Sequence, residues 1–251
     1  MIMSFLLFNF KNCDIIKKKL DCNIVIERDL CMEKKLLRKK RMMTYFIDAA
    51  AQIIREEGID KVTIRKVADI AGFNSATVYN YFENLEDHLI LFAAMRYIKD
   101  YAAALPEYLK DANNALDRFL RVWECFCHFS FKDPEIYHAI FFADLDKDLE
   151  DYVAEYYKLF PEELIVENHG ISTMLLKHNI YERGMTTVKE CVKEGFIREE
   201  DANELNEMTM YIYESILLKV IRNKMGYDEA KTKCIKYIKR ITNSFLVNGK
   251  I

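Results

Sequence analysis

Between Ile64 and Phe82 the chain reads "IRKVADIAGFNSATVYNYF", two short apolar-periodic runs joined at one glycine. Val67 and Ala71 precede Gly72 on one face of the first run, and Phe73, Val78 and Tyr81 follow at spacings that turn inward. Glycine accepts φ > 0 without a Cβ clash, so it suits the joint. Ala68 is small enough to let two helices approach closely. The spacing predicts two short helices crossing steeply, a helix-turn-helix whose second helix presents its exposed side chains to a major groove. An ordinary pair of core helices would show the same spacing.

The rest of the chain is expected to be helical too. Sheet-rich folds need many tight turns, and 7 Gly and 3 Pro in 251 residues supply few. A first helix is expected from Lys34 to Glu57. Its stripe is Met43, Phe46, Ile47, Ala50, Ile53 and Ile54 at helical spacing, and Gly58 stops it. Thr63 caps a second helix over Ile64–Ala71, and Asn74 caps a third through Tyr81. Asn84 caps a fourth, with Glu86 and Asp87 in its first turn, ending near Ala104 before Pro106. Longer helical runs follow over 115–131, 134–145, 148–160, 172–194, 200–224 and 227–247. The expected fold is all-α, with a three-helix helix-turn-helix domain over 32–90 and a larger helical domain over 91–251. Residues 1–31 sustain neither a helical nor a strand period, so they are expected to be an extension outside the domains; the competing reading is an arm packed on the body.

The stretch "GFNSATVYNYF" holds no Lys, Arg or His. Positive charge lies upstream of it. Ten basic and five acidic side chains fall between Glu33 and Lys66, in a chain of net charge −3. This asymmetry fits a DNA-facing end on an acidic body. Within the run "KKLLRKKR", Lys39, Lys40 and Arg41 are the expected phosphate contacts, although a charge run alone also describes a solvated face. Phosphate contacts position a protein on DNA, and base contacts specify the site.

Other classes find little support. The 7 cysteines are odd in number and form no CxxC pair, which favours reduced thiols in a cytoplasmic protein. No apolar run reaches the roughly 20 residues that span a bilayer, and "MIMSFLLFNF" lacks the basic start and cleavage site of a signal peptide. "CFCH" at Cys125–His128 puts Cys125 and His128 within one helical turn, but no second cluster stands at metal-ligand spacing, so no metal is expected. No phosphate-binding glycine loop or nucleophile elbow occurs, so neither cofactor nor enzyme activity is expected.

An aromatic cluster falls in the middle helices. Its helical spacing fits a core; the sharper reading is an apolar pocket with a few polar groups. The candidate ligand-binding residues are Trp123, Cys127, His128, Phe131, Tyr137, His138 and Phe141. Near the end, Met208, Tyr211, Ile212, Ser215, Ile216 and Val220 share one helix face, and Ile235, Ile238, Ile241, Phe245 and Leu246 form another apolar set. A monomer's core or a second chain could cover either.

The run "FIDAAAQIIREEGIDKVTIRKVADIAGFNSATVYNYFENLEDHL" resembles the N-terminal domain of the TetR family of transcriptional regulators, over roughly Arg41 to Leu89. The resemblance implies a homodimeric repressor whose C-terminal domain binds a small molecule and so controls DNA affinity. It implies that Thr63 touches phosphate and that Asn74, Ser75, Ala76 and Thr77 begin the reading helix. Tyr79, Asn80 and Tyr81 would meet backbone or bases, Tyr79 offering its hydroxyl to phosphate and Asn80 either pairing with adenine or simply being solvated. Two departures stand out: Ser75 and Leu85 occupy positions where family members often carry lysine. The resemblance further implies a four-helix dimer bundle through about 200–247 and a roughly palindromic double-stranded operator read in successive major grooves. The expected function is a DNA-binding transcriptional regulator, a repressor released from its operator by an unknown small-molecule effector, with no membrane partner. The alternative is a ligand-independent protein that organises DNA or recruits a partner through the same domain.

Overall fold

In a computed structural model the described residues are 33–82, 85–142, 149–161 and 180–247. The expected extension over 1–31 and the Asn84 cap lie outside them. No strand forms among the described residues, and one antiparallel bridge joins Ile197 to Leu246. The all-α expectation holds.

The chain parts into two compact units, Met1–Tyr45 and Phe46–Ile251. Helix α1 runs over 33–57 and contributes to both. In the first unit, residues 33–45 are helical, with Lys39 and Arg41 exposed and Met43 buried. The Thr44 hydroxyl donates to the Lys40 carbonyl at 2.9 Å, four residues back along the helix.

In the second unit, residues 46–57 of α1 lead through a 3-10 turn at Ile59–Lys61 to α2 (Ile64–Ala71), α3 (Ser75–Tyr79) and α4 (Leu85–Leu109). The body continues with α5 (Ala115–Ser130), α6 (Pro134–Phe142), α7 (Leu149–Leu159) and α8 (Ile180–Lys193). A 3-10 turn at Glu199–Asp201 precedes α9 (Ala202–Ile221), and α10 (Tyr227–Ser244) closes the series. Helix α5 packs on α4, α8 and α10, while α9 packs on α8 and α10. Their shared core is aromatic: Phe126 lies edge-on to Tyr101 and Tyr137 and tilted against Tyr213, with centroids 5.0–5.6 Å away. Such pairs add stabilisation beyond their buried area.

Several boundaries differ from expectation; the last two helices end at Ile221 and Ser244, a few residues early. Helix α4 does not stop near Ala104; Pro106 lies inside it and the helix reaches Leu109. A proline deletes its own N–H bond to the carbonyl four residues back, but the buried Tyr101, Ala102 and Leu105 hold the last turns against the body. Helix α3 ends at Tyr79, with Asn80 still in right-handed backbone.

Candidate nucleic-acid interface and inner cavity

The turn between α2 and α3 is built from backbone geometry. Gly72 adopts φ 76 and ψ 30, the left-handed region that favours glycine. There the Phe73 N–H donates to the Ala68 carbonyl at 2.9 Å and the Gly72 N–H to that of Asp69 at 3.3 Å, which satisfies the end of α2. At the start of α2 the Thr63 hydroxyl accepts from Lys66 N at a long 3.4 Å. The α3 cap is tighter: Asn74 Oδ1 accepts both the Thr77 N–H at 2.8 Å and the Thr77 hydroxyl at 2.9 Å.

Burial then sorts the side chains. Val67, Ala68, Val78 and Phe82 are buried beside Phe46, whose ring lies 6.3 Å from that of Phe82 and 5.8 Å from that of Tyr81. Phe73 was expected inside, but it is 36% exposed at the edge of the cluster, 5.4 Å from the Phe46 ring. The left-handed turn at Gly72 directs the next side chain to the rim. On α3, Tyr79 is 60% exposed, Ala76 is exposed, and Asn80 just after the helix is exposed too. Ser75, Thr77 and Tyr81 are half-buried, so Ala76, Tyr79 and Asn80 project furthest. The basic side chains of α2 are Arg65, exposed, and Lys66, whose ammonium sits 2.5 Å from Glu57 Oε2. The Leu85 side chain lies outside the described residues.

Helix α4 seats this helix-turn-helix. Leu89 and Phe92 are fully buried, and the Phe92 ring lies 6.3 Å from that of Phe82. Further along, Arg96 Nη2 lies 3.4 Å from Asp48 Oδ1, and the Tyr97 hydroxyl donates to the Ala51 carbonyl at 3.4 Å.

Near the other end of α4 a cavity opens in the helical body. Its walls are Tyr101 of α4, Val122, Trp123 and Phe126 of α5, Ile180, Arg183, Gly184 and Thr187 of α8, and Met210 of α9. The space between the walls is about 380 Å³, counted out to solvent, but only about 30 Å³ admits the centre of a water molecule. That is room for about one or two waters. Arg183 is its one charged wall residue among the described residues, 7% exposed, with its guanidinium 4.9 Å from the centre of the Phe141 ring. Burial lowers the pKa of this group, because desolvation disfavours the cation.

Of the seven side chains expected at a ligand site, Trp123 is on the wall and Phe141 lies behind it, under Arg183. The others pack elsewhere. Tyr137 is buried between Phe126 and Phe141, and its hydroxyl finds no hydrogen-bond partner among the described residues. Cys127 is a buried free thiol beside that of Cys234, and burial pushes its pKa well up. His128 Nδ1 lies 2.6 Å from the Tyr227 hydroxyl, Phe131 stacks on Tyr213, and His138 stacks on Phe142. No three His, Cys, Asp or Glu side chains among the described residues group as metal ligands. Sequence reasoning missed Arg183. Its signal was present: Ile180, Arg183, Thr187 and Cys191 follow helical spacing, which puts an arginine on the inward stripe of α8.

The expected pairing face of α9 divides. Ile216 is buried in its own chain, Tyr211 is 57% exposed, Ser215 is exposed, and Met208, Ile212 and Val220 are half-buried. On α10, Ile238 is buried, Tyr237 is 41% exposed, and Ile235 and Ile241 are half-buried. No described helix is long and apolar enough to cross a membrane.

Residues 46–88 match the family model for bacterial regulatory proteins of the tetR family. None of the curated proteins matches the chain. Among solved structures, the fold is similar to FadR of Thermus thermophilus, a TetR-family transcriptional repressor solved with lauroyl-CoA. The TM-score is 0.52 at 12% identity, over 82% of this chain and 96% of that one. A TetR transcription regulator from Haloarcula marismortui gives 0.52 at 14% identity, over 82% and 99%. A transcriptional regulator from Saccharomonospora viridis solved with choline gives 0.52 at 16% identity, over 82% and 98%. The resemblance to the TetR family thus rests on the matched segment for the helix-turn-helix, and the helical body shares the fold of these regulators.

Proposed function

We propose that this chain, whose helix-turn-helix is of the tetR type and whose body has the fold of TetR regulators, is a transcriptional repressor that a small molecule releases from its operator. One observation carries the reading. Helix α4 supplies a wall of the inner cavity through Tyr101 and the seat of the helix-turn-helix through Phe92. Nine residues of helix separate them, about 14 Å at 1.5 Å per residue.

The cavity as folded holds little more than water. A ligand of ten or more heavy atoms therefore has to displace a wall, and one wall is α4. Such a ligand binds a displaced form better than this one, which is the differential affinity that a population shift requires. Moving α4 moves the seat of Phe82 and, through Phe46, the orientation of α3.

In this reading Ala76, Tyr79 and Asn80 face the groove, Asn74, Ser75 and Thr77 start the reading helix, Tyr81 follows its end, and Thr63 at the start of α2 touches phosphate. Lys39, Lys40 and Arg41 supply phosphate contacts. Two chains pair through α9 and α10, burying Tyr211 and Tyr237, and present two reading helices to a roughly palindromic site in the cytoplasm. The test is to map the DNA bound by the tagged chain in its native genome, then measure affinity for a mapped site by fluorescence anisotropy. The expected affinity is at least about 1,000-fold above that for a scrambled duplex at the same salt. Equal affinity for the two duplexes would remove the reading.

A further inference from the structure

We propose that the inner cavity takes a compact apolar carboxylate, with its body against Trp123, Phe126 and Met210 and its carboxylate on the Arg183 guanidinium. This deepens the reading of the cavity as an effector site and rests on it.

The walls alone leave two chemistries open. Trp123, Tyr101 and Phe126 offer aromatic surface that would suit a quaternary ammonium through cation–π attraction. They would equally suit a neutral or anionic apolar body. Arg183 decides between these. It is the one charged side chain on the wall among the described residues, it is more than nine-tenths buried, and its guanidinium lies 4.9 Å from the centre of the Phe141 ring. A cationic ligand would meet a like charge in a poorly solvated place. An anion would meet a planar fork of donors matched to a carboxylate. A guanidinium carries five N–H donors, so it can keep an internal partner and still bind a ligand.

The surroundings extend the same preference. Among the described residues, Tyr101, Tyr157 and Tyr137 stand near enough to Arg183 to act on its charge. Tyr101 is on the cavity wall, and the Tyr137 hydroxyl is buried without a hydrogen-bond partner among the described residues. Phenol hydroxyls can donate to a carboxylate oxygen. Among the described residues no Asp or Glu lies on the cavity wall to repel it.

The experiment is isothermal titration of the full chain with matched pairs: decanoate and decanamide, naphthalene-2-acetate and its amide, with phenyltrimethylammonium as the cationic probe. Each acid is expected to bind about 10- to 100-fold more tightly than its amide, the ratio a charge-assisted hydrogen bond supplies. The ammonium is expected not to bind. Arg183→Met is expected to bring the acid-to-amide ratio to about one, with the circular dichroism spectrum unchanged. If that variant fails to fold, the comparison within each pair on the unaltered chain still decides. Amides that bind as tightly as acids, binding of the ammonium in preference, or a ratio that survives Arg183→Met each overturns the proposal. In the first two cases, release of operator DNA by the bound neutral or cationic compound leaves the effector reading standing. If no compound of any charge binds, the carboxylate proposal falls, and release of operator DNA by another small molecule leaves the effector reading standing.

Discussion

The carboxylate of Glu194 accepts the backbone N–H of Ala115 at 2.7 Å, so the residue just past the end of α8 caps the start of α5. Its other oxygen lies 2.5 Å from Arg118 Nη2. Helices α5 and α8 carry seven of the nine cavity walls, so this cap holds two sides of the cavity in register. The Ala115 N–H first, and Arg118 next, hold the Glu194 carboxyl below its ordinary pKa of 4.5. A depressed folded pKa contributes stability that is present above the unfolded value and lost as pH falls through the folded one. Glu194→Gln should therefore lower Tm near neutral pH, and the gap to the unaltered chain should shrink as pH drops below 4.5. Thermal melts across that window check it; a gap that stays constant would count against the cap.

Gly184 marks a close approach of α8 to α9. A Cβ there would stand 2.3 Å from Asn206 Oδ1 and 2.4 Å from Met210 Cε. The Met210 methyl can swing away, but Asn206 is held, because its Nδ2 donates to the Tyr181 carbonyl at 2.8 Å. Gly184→Ala should destabilise the chain by about 1–3 kcal/mol, the usual range for overpacking. Adding Asn206→Ala should recover part of the loss despite removing a hydrogen bond. Urea unfolding measures both, and additive losses would mean that Asn206 is not the obstacle.

The helix-turn-helix was legible in the sequence because its determinants are local. Gly72, the Asn74 cap and the buried Val67, Val78 and Phe82 all act within a few residues of one another. The exposure of Phe73 was not, because periodicity gives the face of a residue but not the bend that a left-handed glycine puts before it. The cavity was legible only in part. Trp123 stood out as an aromatic, whereas Tyr101, Arg183 and Met210 come from three other helices whose meeting no local pattern records. Arg183 broke the apolar stripe of α8, and that break was its sole trace in the sequence. His128 and Cys127 looked like polar pocket groups, but long-range partners on α10, Tyr227 and Cys234, engage them.

The five-residue helix α3 is too short to persist without its cap. Asn74 Oδ1 satisfies the Thr77 N–H and also fixes the Thr77 hydroxyl. Asn74→Ala should lower stability by about 1 kcal/mol, the common cost of a lost N-cap, and Asn74→Ser should restore most of it. Operator affinity should follow the same order, since a frayed α3 misplaces Ala76 and Tyr79. Anisotropy titrations with the three proteins test this. Undiminished operator binding by Asn74→Ala would show that DNA itself orders the helix.

Holding and reading DNA fall to different side chains in the proposed interface, and salt separates them. Lys39 and Arg41 are exposed and Lys40 is half-buried, whereas Tyr79 and Asn80, the exposed polar groups on and just after α3, carry no charge. Each phosphate contact releases counterions and contributes about −0.9 to the slope of log K against log salt. Replacing Lys39, Lys40 and Arg41 together by Gln should weaken binding to every duplex alike and flatten that slope by up to about 2.7, three times the single-contact value. Asn80→Ala should leave the slope unchanged and narrow the gap between operator and scrambled DNA, by about 1–3 kcal/mol if Asn80 pairs with a base. Anisotropy titrations at four salt concentrations resolve both quantities. A triple variant with an unaltered slope would take Lys39–Arg41 out of the interface and leave α3 reading DNA with its clamp elsewhere.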